Sequence, residues 1–197
     1  EQAIAEVASG QWPVASQKNS LRILDLFAGS GCIGIALLKH LPNATVDFGE
    51  KDPKLCEQIK KNIALNNLDV SRTYVIQTDI FSNITDAYDY IFTNPPYIDP
   101  TKKDSVQSSV LVHEPHEALF ALGGGLYFIK KLIEEGGAHL TKEGAMYIEF
   151  GEGQKSALAT LAKTTGWKSE FWKDQFGKWR MAKLTLPTRV DTPKVRK

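Results

Sequence analysis

The chain has 197 residues, 42% hydrophobic and 24% charged, a composition typical of one globular domain with a sizeable core. Its 24 Lys and Arg residues nearly balance its 23 Asp and Glu residues, so the net charge of +1 provides no global attraction for a nucleic acid or a membrane surface. No apolar run approaches the roughly 18 residues of a membrane span, and no signal-peptide pattern opens the chain, so we expect a soluble protein.

The order of the predicted elements indicates an α/β fold. A short helix over 1–9 and a connecting loop form a leading segment, residues 1–20. Strands are predicted over 21–26, 44–50, 73–79, 88–93 and 144–150, and helices over 32–41, 53–66, 125–140 and 153–166, with a further helix near 102–112. Because strands alternate with helices, right-handed crossovers should build a doubly wound, mainly parallel sheet covered on both faces.

Two strands without an intervening helix end the predicted domain. They are expected over 167–173 and 179–186, where they should pair as an antiparallel hairpin at one edge of the sheet. We therefore assign one domain to residues 21–186, with no internal repeat and no second domain. The basic, Pro-broken tail over 187–197 is expected to be disordered.

A glycine loop follows the first predicted strand and opens the first helix. Gly29, Gly31 and Gly34 have the G-x-G-x-x-G spacing of a nucleotide-type cofactor loop, in which glycines let ligand atoms approach the backbone. Glu50 lies at the end of the next strand, where a carboxylate can bind the two hydroxyls of a ribose. Gly34 is better explained by helix packing, so Gly29, Gly31 and Glu50 are the candidate cofactor residues.

A carboxylate at the mouth of the first strand limits which cofactor fits. Asp25 lies four residues before Gly29, where it would repel the pyrophosphate of a dinucleotide and attract an ammonium group. S-adenosyl-L-methionine has an amino-acid end, a sulfonium and a ribose but no phosphate, so it suits Asp25 better. Asp79, after the following strand, can contact its adenine or can serve as a helix or turn cap.

The sequence TNPPY, 93–97, directly follows the apolar run YDYIF. The Asn94 side-chain oxygen can accept one N–H of an NH₂ group, and a rigid backbone carbonyl such as that of Pro95 can accept the other. Pro96 stiffens the loop further, and Tyr97 can pack flat against a planar amide or base. We interpret the loop as a substrate clamp that points the lone pair of the nitrogen at a methyl group, with Asn94, Pro95 and Tyr97 as the candidate catalytic residues.

With these two loops, the sequence resembles the class I S-adenosylmethionine-dependent methyltransferases, and within them the protein N5-glutamine methyltransferases of the HemK/PrmC type. The resemblance extends from Leu21 to about Leu186. The motifs that carry it are DLFAGSGCIGIAL (25–37), TDIF (78–81), NPPYI (94–98), HEPHEAL (113–119), GGGLYFIKKL (123–132), EFGEGQ (149–154) and KDQFGKWR (173–180). Of these, NPPY is shared with enzymes that methylate amino groups of DNA and RNA, whereas the later motifs are specific to the glutamine methyltransferases.

The resemblance implies a Rossmann-like, seven-stranded sheet and a defined reaction. The acceptor would be the glutamine of the Gly-Gly-Gln loop of a class 1 peptide chain release factor, methylated on its side-chain amide nitrogen. The residues implied to contact S-adenosylmethionine are Gly29, Gly31, Glu50, Asp79 and Asn94, and those implied to hold the glutamine are Asn94, Pro95 and Tyr97.

The chain departs from the family pattern at several points. Phe27-Ala28 stand where the family more often has Gly-Thr, Glu50 replaces the commoner Asp, and the glycine stretch before Leu126 is shorter than usual. Family members usually carry an N-terminal helical domain that helps to dock the release factor, and only 20 residues precede Leu21 here.

Other polar and aromatic residues have competing interpretations. The HEPHE stretch, 113–117, lacks metal-site spacing, so we expect no metal and assign Glu114 to ordering the loop. Glu149 and Gln154 either support the site from behind or act as a strand end and a helix cap. The terminal tryptophans are expected to pack in the core rather than to stack on bases; they are Trp167, Trp172 and Trp179.

Two other functions remain open at this point. The same NH₂ clamp could methylate the amino group of a nucleobase of DNA or RNA, or the chain could be a cofactor-binding partner subunit without activity. The near-zero net charge argues against a nucleic-acid substrate, and the intact NPPY sequence argues against the inactive subunit. We expect a monomer in the cytoplasm, or alternatively in the mitochondrial matrix, where Cys32 and Cys56 would be small, buried free thiols.

Overall fold

A seven-stranded sheet forms the centre of the protein. The computed structural model describes residues 20–105 and 116–187. The strands are β1 (Leu21–Leu26), β2 (Ala44–Glu50), β3 (Thr73–Gln77), β4 (Tyr88–Thr93), β5 (Leu140–Glu149), β6 (Lys168–Lys173) and β7 (Trp179–Thr185), in the order β3-β2-β1-β4-β5-β7-β6. The first five strands pair in parallel and β7 is antiparallel to both β5 and β6. The predicted fold class and the antiparallel hairpin are therefore confirmed.

Helices cover both faces of the sheet. They are α1 (Cys32–His40), α2 (Pro53–Leu65), α3 (His116–Leu119), α4 (Tyr127–Glu135) and α5 (Lys155–Thr164), with 3₁₀ segments at Val70–Arg72, Pro100–Ser105 and Gly136–His139. On one face, α1 and α2 bury Leu37 and Ile59 in the same apolar cluster as Phe48 of β2. On the other face, α4 and α5 contribute Leu132 and Leu158 to a second buried cluster. Two covered faces explain why β4, at the centre, is buried at all six positions.

Local chemistry determines where the first two helices begin and end. Gly31 precedes α1 in the left-handed region, with φ +79°, and α1 ends one residue before Leu41, which Pro42 follows. At α2, the Asp52 carboxylate accepts the Lys54 backbone N–H at 2.8 Å, and Pro53 occupies the first turn. These signals are short-range, which is why both helices were predicted to within one residue.

The segment between 125 and 149 differs from the prediction. The helix expected over 125–140 is α4, Tyr127–Glu135, followed by the 3₁₀ segment Gly136–His139, and β5 begins at Leu140 rather than at 144. Two consecutive glycines, Gly136 and Gly137, weaken the α-helix at this point and favour a tighter turn. The early start of β5 is accompanied by a register shift between Tyr88 and Tyr90 of β4, an irregularity that hydrophobic periodicity does not reveal.

The terminal tryptophans divide between core and surface. Trp167 is buried and its indole N–H donates to the Ile133 carbonyl at 3.0 Å, and Trp172 packs beside Tyr147. Trp179, by contrast, is 36% exposed, so its predicted core position is wrong. Because Met181 pairs with Glu149, the last residue of β5, Trp179 lies beyond the end of that strand. Similarly, Cys56 is buried as expected but Cys32 is exposed.

Several predictions fall on residues that the structure does not describe. They are the helix over 1–9 with most of the leading segment, the greater part of the helix near 102–112, and nearly all of the tail over 187–197. No helix within 20–105 or 116–187 combines the length and the apolar character needed to cross a membrane.

Candidate functional site

The sheet order places a crevice at the carboxyl end of β1. This strand lies between β2 and β4, and the chain runs from β1 to β2 on one side but returns to β4 on the other. In open α/β sheets, ligands bind at such a switch of direction, outside the carboxyl ends of the strands. The loop after β1, Glu50 at the end of β2 and the loop after β4 all emerge at this edge. The structure therefore gathers most of the predicted site residues.

Gly29 provides an open stretch of backbone in the crevice. Its φ of +56° lies in the left-handed region, and a Cβ added there would meet no atom within 4 Å. Its N–H donates to Oε2 of Glu50 at 2.8 Å, which joins the loop after β1 to the end of β2. Ligand atoms can therefore approach the backbone at Gly29 next to the Glu50 carboxylate.

Gly31 and Gly34 serve the packing of α1. A Cβ on Gly31 would lie 3.2 Å from Ile59, and one on Gly34 would lie only 2.3 Å from the Phe48 ring. Gly34 therefore lets α1 approach β2, as the sequence predicted. Its N–H also donates to Oδ2 of Asp25 at 2.8 Å, which fixes that carboxyl at the start of the helix.

The polar groups of this loop suit hydroxyl groups better than a phosphate. Asp25 and Glu50 already accept the N–H groups of Gly34 and Gly29, groups that a phosphate-binding loop would offer to its ligand. Glu50 also accepts the N–H groups of Lys51 and Asp52, at 2.7 and 3.0 Å, and a carboxylate has about four acceptor positions. At least one therefore remains for a hydroxyl. The residues present fit S-adenosylmethionine, with its ammonium group and ribose and without phosphate.

Phe27 explains one departure from the family pattern. It adopts a φ of +58°, a left-handed conformation that costs a non-glycine residue about 1–2 kcal/mol. The resemblance described above implies that glycine is commoner at this position. The Phe27 ring packs edge-on against Phe128 of α4, with ring centroids 5.3 Å apart, and this burial offsets part of the backbone strain.

Asp79 lies at the margin of the crevice. Strand β3 ends at Gln77, so Asp79 lies in the following turn, and its half-exposed carboxylate pairs with Lys51 Nζ at 2.8 Å. Together with Tyr127 and Phe128 of α4, this ion pair lines a cavity of about 710 Å³. Of the predicted site residues, only Asp79 lines this cavity. A contact between Asp79 and an adenine would require Lys51 to share or release the carboxylate.

The loop after β4 presents one side chain and buries its neighbours. Asn94 is exposed, and its side-chain amide has no hydrogen-bond partner among the residues that the structure describes. Pro95 and Pro96 are buried, and their rings fix the backbone φ at both positions, so the loop is anchored directly after Asn94. The Tyr97 hydroxyl donates to Oε1 of Glu149 at 3.1 Å, so the ring orientation is set by the end of β5. Burial raises the pKa of the Glu149 carboxyl, and the Tyr97 hydroxyl and Arg180 oppose this shift.

The Gln154 side chain makes hydrogen bonds to the backbone of three separate segments, one of which contains Tyr97. Its Nε2 donates to the Tyr97 carbonyl at 2.9 Å and to the Gly124 carbonyl at 3.1 Å, and its Oε1 accepts the Gly151 N–H at 2.8 Å. Although Gln154 is the residue before α5, its side chain makes no capping hydrogen bond. The sequence left Gln154 open between support of the site and helix capping, and its contacts favour support. Glu149 was open between support and a strand end; it is the last residue of β5 and also accepts the Tyr97 hydroxyl.

Gly125 is a site residue that the sequence did not identify. A Cβ on Gly125 would lie 2.0 Å from the Tyr97 carbonyl oxygen and 2.5 Å from Gln154 Nε2. The glycine stretch before α4 therefore allows the loop over 123–125 to lie directly against the loop after β4. The only signal in the sequence was the run of glycines itself, which does not say what approaches it.

No group of three or more potential metal ligands comes together within the described ranges. His116 and Glu117 of the HEPHE stretch are exposed at the start of α3, while His113, Glu114 and Pro115 lie outside those ranges. The predicted role of Glu114 therefore stays a prediction.

The buried carboxyl of Asp25 gives a first testable prediction. Burial raises its pKa from the ordinary 3.8 to about 7; the Gly34 N–H opposes this shift, and the charge of Glu50 adds to it. Between these pH values, the folded protein holds a proton that the unfolded chain has lost, so the contribution of Asp25 to the free energy of unfolding falls as pH rises. In Asp25→Asn, a neutral amide oxygen can still accept the Gly34 N–H and nothing titrates.

Urea unfolding at several pH values measures this contribution. We expect the stability of the wild type relative to Asp25→Asn to decrease from about pH 4 to about pH 7 and to stay constant above it. If the difference in the free energy of unfolding between the wild type and Asp25→Asn stays the same over this pH range, Asp25 is ionised in the folded protein.

Comparison with known proteins adds family information to this geometry. Residues 13–131 match the family model described as the methyltransferase small domain. Among curated relatives, the release factor glutamine methyltransferase of Flavobacterium psychrophilum is 32% identical over 190 residues, covering 94% of this chain and 65% of the relative. The protein of the same name from Lactococcus lactis is 34% identical over 168 residues, covering 84% and 61%. The chain thus spans less than two thirds of the length of either relative.

Solved structures share the fold at low sequence identity. The ribosomal protein L11 methylase from Lactobacillus delbrueckii subsp. bulgaricus aligns with a TM-score of 0.62 and 16% identity, covering 94% of this chain and 79% of the other. At this identity, the likeness concerns the fold alone.

Proposed function

The chain belongs to the methyltransferase small domain family, and on this premise we propose that it methylates the side-chain amide nitrogen of a protein glutamine, using S-adenosylmethionine. The proposed acceptor is the glutamine in the Gly-Gly-Gln loop of a class 1 peptide chain release factor. The observation that carries the proposal is the Asn94–Tyr97 loop, which is held by Glu149 and Gln154 and presents an exposed side-chain amide that makes no hydrogen bond to any residue within 20–105 or 116–187. Two relatives named release factor glutamine methyltransferase support the choice of acceptor.

The cofactor would lie along the carboxyl edge of the sheet. Its ammonium group would lie near Asp25 and would favour the ionised form of that buried carboxyl. Its methionine part would lie along the backbone of Gly29 and Gly31, and its ribose at Glu50. Asp79 would contact the adenine of the cofactor. Asn94 would contact the end of the cofactor that faces the acceptor glutamine. When bound, S-adenosylmethionine supplies an electrophilic methyl group on a sulfonium.

The loop after β4 would hold the acceptor amide. An amide nitrogen is a poor nucleophile because its lone pair is delocalised into the carbonyl group. If the Asn94 side-chain oxygen and the Pro95 carbonyl each accept one N–H, the lone pair is turned toward the methyl group. Tyr97 would pack against the planar amide, with its hydroxyl held by Glu149 and its carbonyl held by Gln154. Transfer would break the bond from sulfur to the methyl group and leave a neutral thioether. No strong base is needed first, since the proton becomes acidic only as the nitrogen gains the methyl group, and it can then pass to water.

Methylation of a nucleobase is not favoured. The relatives from Flavobacterium psychrophilum and Lactococcus lactis, which match over 94% and 84% of this chain, carry the name release factor glutamine methyltransferase. A net charge of +1 also provides no general attraction for a polyanion. The proposed substrate acts in translation, which places the proposed reaction in the cytoplasm or in the mitochondrial matrix.

A methyl-transfer assay tests the proposal. Labelled S-adenosylmethionine would be incubated with the protein and a purified class 1 release factor, and in parallel with the same factor carrying alanine in place of its loop glutamine. Duplex DNA and ribosomal RNA would serve as alternative acceptors. We expect incorporation only into the unmodified release factor. Incorporation that persists without the glutamine, or that occurs only in a nucleic acid, would refute the proposed acceptor.

A further inference from the structure

The turn between β6 and β7 protrudes beside the candidate site. Lys173 at the end of β6 pairs with Trp179 at the start of β7, while the last residue of β5, Glu149, pairs with Met181. Residues 174–178, which we call the hairpin tip, therefore extend past the end of β5 at the edge where the site lies. Lys178 of the tip pairs with Glu152 at 2.7 Å, and next to the tip the Phe150 N–H donates to the Arg180 carbonyl at 2.9 Å. Both contacts reach the segment that leads from β5 to Gln154.

The hairpin tip is an ordered turn that exposes a phenylalanine. Oδ1 of Asp174 accepts the N–H groups of Phe176 and Lys178, both at 2.9 Å, and Gly177 adopts a φ of +75°. Asp174 also pairs with Arg180 at 3.5 Å. Phe176 nevertheless has 76% of its surface exposed. None of the contacts that order this turn uses the phenyl ring, so the ring is available to bury apolar surface against a partner.

Two lysines beside the tip share one exposed indole. Lys155 Nζ lies 3.3 Å from the centre of the Trp179 ring and Lys173 Nζ lies 5.1 Å from it. Neither ammonium group has a carboxylate within ion-pair distance in the parts of the chain that the structure describes. Two like charges on one ring repel each other, so a carboxylate from a partner would be attracted to this position.

We propose that Phe176, Trp179 and the two lysines form a docking surface for the polypeptide that flanks the acceptor glutamine. The segment that binds would carry an apolar side chain for Phe176 and an acidic side chain for Lys155 and Lys173. This inference rests on the proposed function, because it takes the partner to be the protein that enters the site. The tip and the Asn94–Tyr97 loop emerge at the same edge of the sheet, so a polypeptide bound at that loop can extend to this surface.

The test compares two substrates and two matched variants. Phe176→Ser removes the exposed ring of the tip, and Leu65→Ser removes an equally exposed apolar side chain, 77% exposed, at the end of α2. Each variant would be assayed with the intact release factor and with a short peptide centred on the acceptor glutamine, too short to reach the tip. The dissociation constant of the intact factor would be measured by calorimetry in parallel.

We expect Phe176→Ser to raise KM and the dissociation constant for the intact factor about tenfold, with kcat and peptide methylation unchanged. Leu65→Ser should change neither KM nor the dissociation constant for the intact factor. Equal behaviour of the two variants toward the intact factor would overturn the docking surface, as would an intact factor that does not bind the wild type. If the factor binds through Phe176 but is not methylated, the surface is upheld and the proposed function falls.

Discussion

Replacement of Asn94 by alanine is expected to lower kcat for methyl transfer by about 10²- to 10³-fold, the usual cost of losing one preorganised polar contact in a transition state. The reason is that the acceptor amide would lose one of the two acceptors that orient its lone pair. Folding should be unaffected, because the Asn94 side chain is exposed and its amide makes no hydrogen bond to any residue that the structure describes. Single-turnover assays, with thermal unfolding in parallel, measure both quantities.

The variant Asn94→Asp tests whether the side-chain oxygen, rather than the whole amide, is what the reaction requires. Asn94→Asp keeps an acceptor at nearly the same position, so we expect it to lose less activity than Asn94→Ala. Cofactor binding, measured by calorimetry, should weaken far less than kcat in both variants. An alanine variant that retains nearly full activity would show that Asn94 does not hold the substrate, and the clamp would have to be abandoned.

Replacement of Gly125 by alanine is expected to lower kcat nearly as much as Asn94→Ala, although Gly125 contacts no reacting atom. In Gly125→Ala, the new Cβ would lie 2.0 Å from the Tyr97 carbonyl oxygen, so either the loop over 123–125 or the loop after β4 must move. A displacement of about 1 Å in a positioning group can cost about 10²-fold in rate, and we expect a loss of kcat of that order. The affinity for cofactor should change little, because Gly29 lies in the loop after β1 and Glu50 at the end of β2, and neither belongs to the two loops that must move.

Gly123→Ala is the matched control for Gly125→Ala. Both glycines have positive φ, +65° and +82°, so both substitutions incur a similar backbone strain of about 1–2 kcal/mol. A Cβ on Gly123, however, would meet no atom within 4 Å. Similar kcat values for the two variants would mean that Gly125 is needed only for its backbone conformation and not for the close approach of Tyr97.

Most of the fold could be predicted because its signals are short-range. Strands β1, β2 and β4 were predicted to the residue, since each is a short, mainly apolar run with glycine, proline or charged residues within three positions of its ends. Segments that depend on distant partners were less predictable. The early start of β5 is set by its pairing with β4, and the exposure of Trp179 is set by the length of β5.

In the candidate site, too, the residues with short-range sequence signals were predicted, and the features that depend on distant partners were not. The glycine loop, Glu50 and the Asn94–Tyr97 loop were identified from residue type and from their positions after strands, and the sheet order brings them to one edge. Their roles in binding and catalysis stay predictions, and the assays above address them. Asp79 lies farther out than its place in the sequence indicated, because β3 ends two residues before it and Lys51 pairs with its carboxylate.

The sequence by itself determined the α/β class, the strand-to-loop positions of the two motifs and the preference for a cofactor without phosphate. Each of these follows from local periodicity, backbone restrictions or a single charge next to a loop. Only the tertiary structure decided that Gln154 holds the Tyr97 carbonyl, 57 residues away, and that Gly125 must lack a side chain. The physical reason is that a hydrogen bond or a close contact depends on which loops the sheet order brings together, and a residue's neighbours in the chain do not specify that.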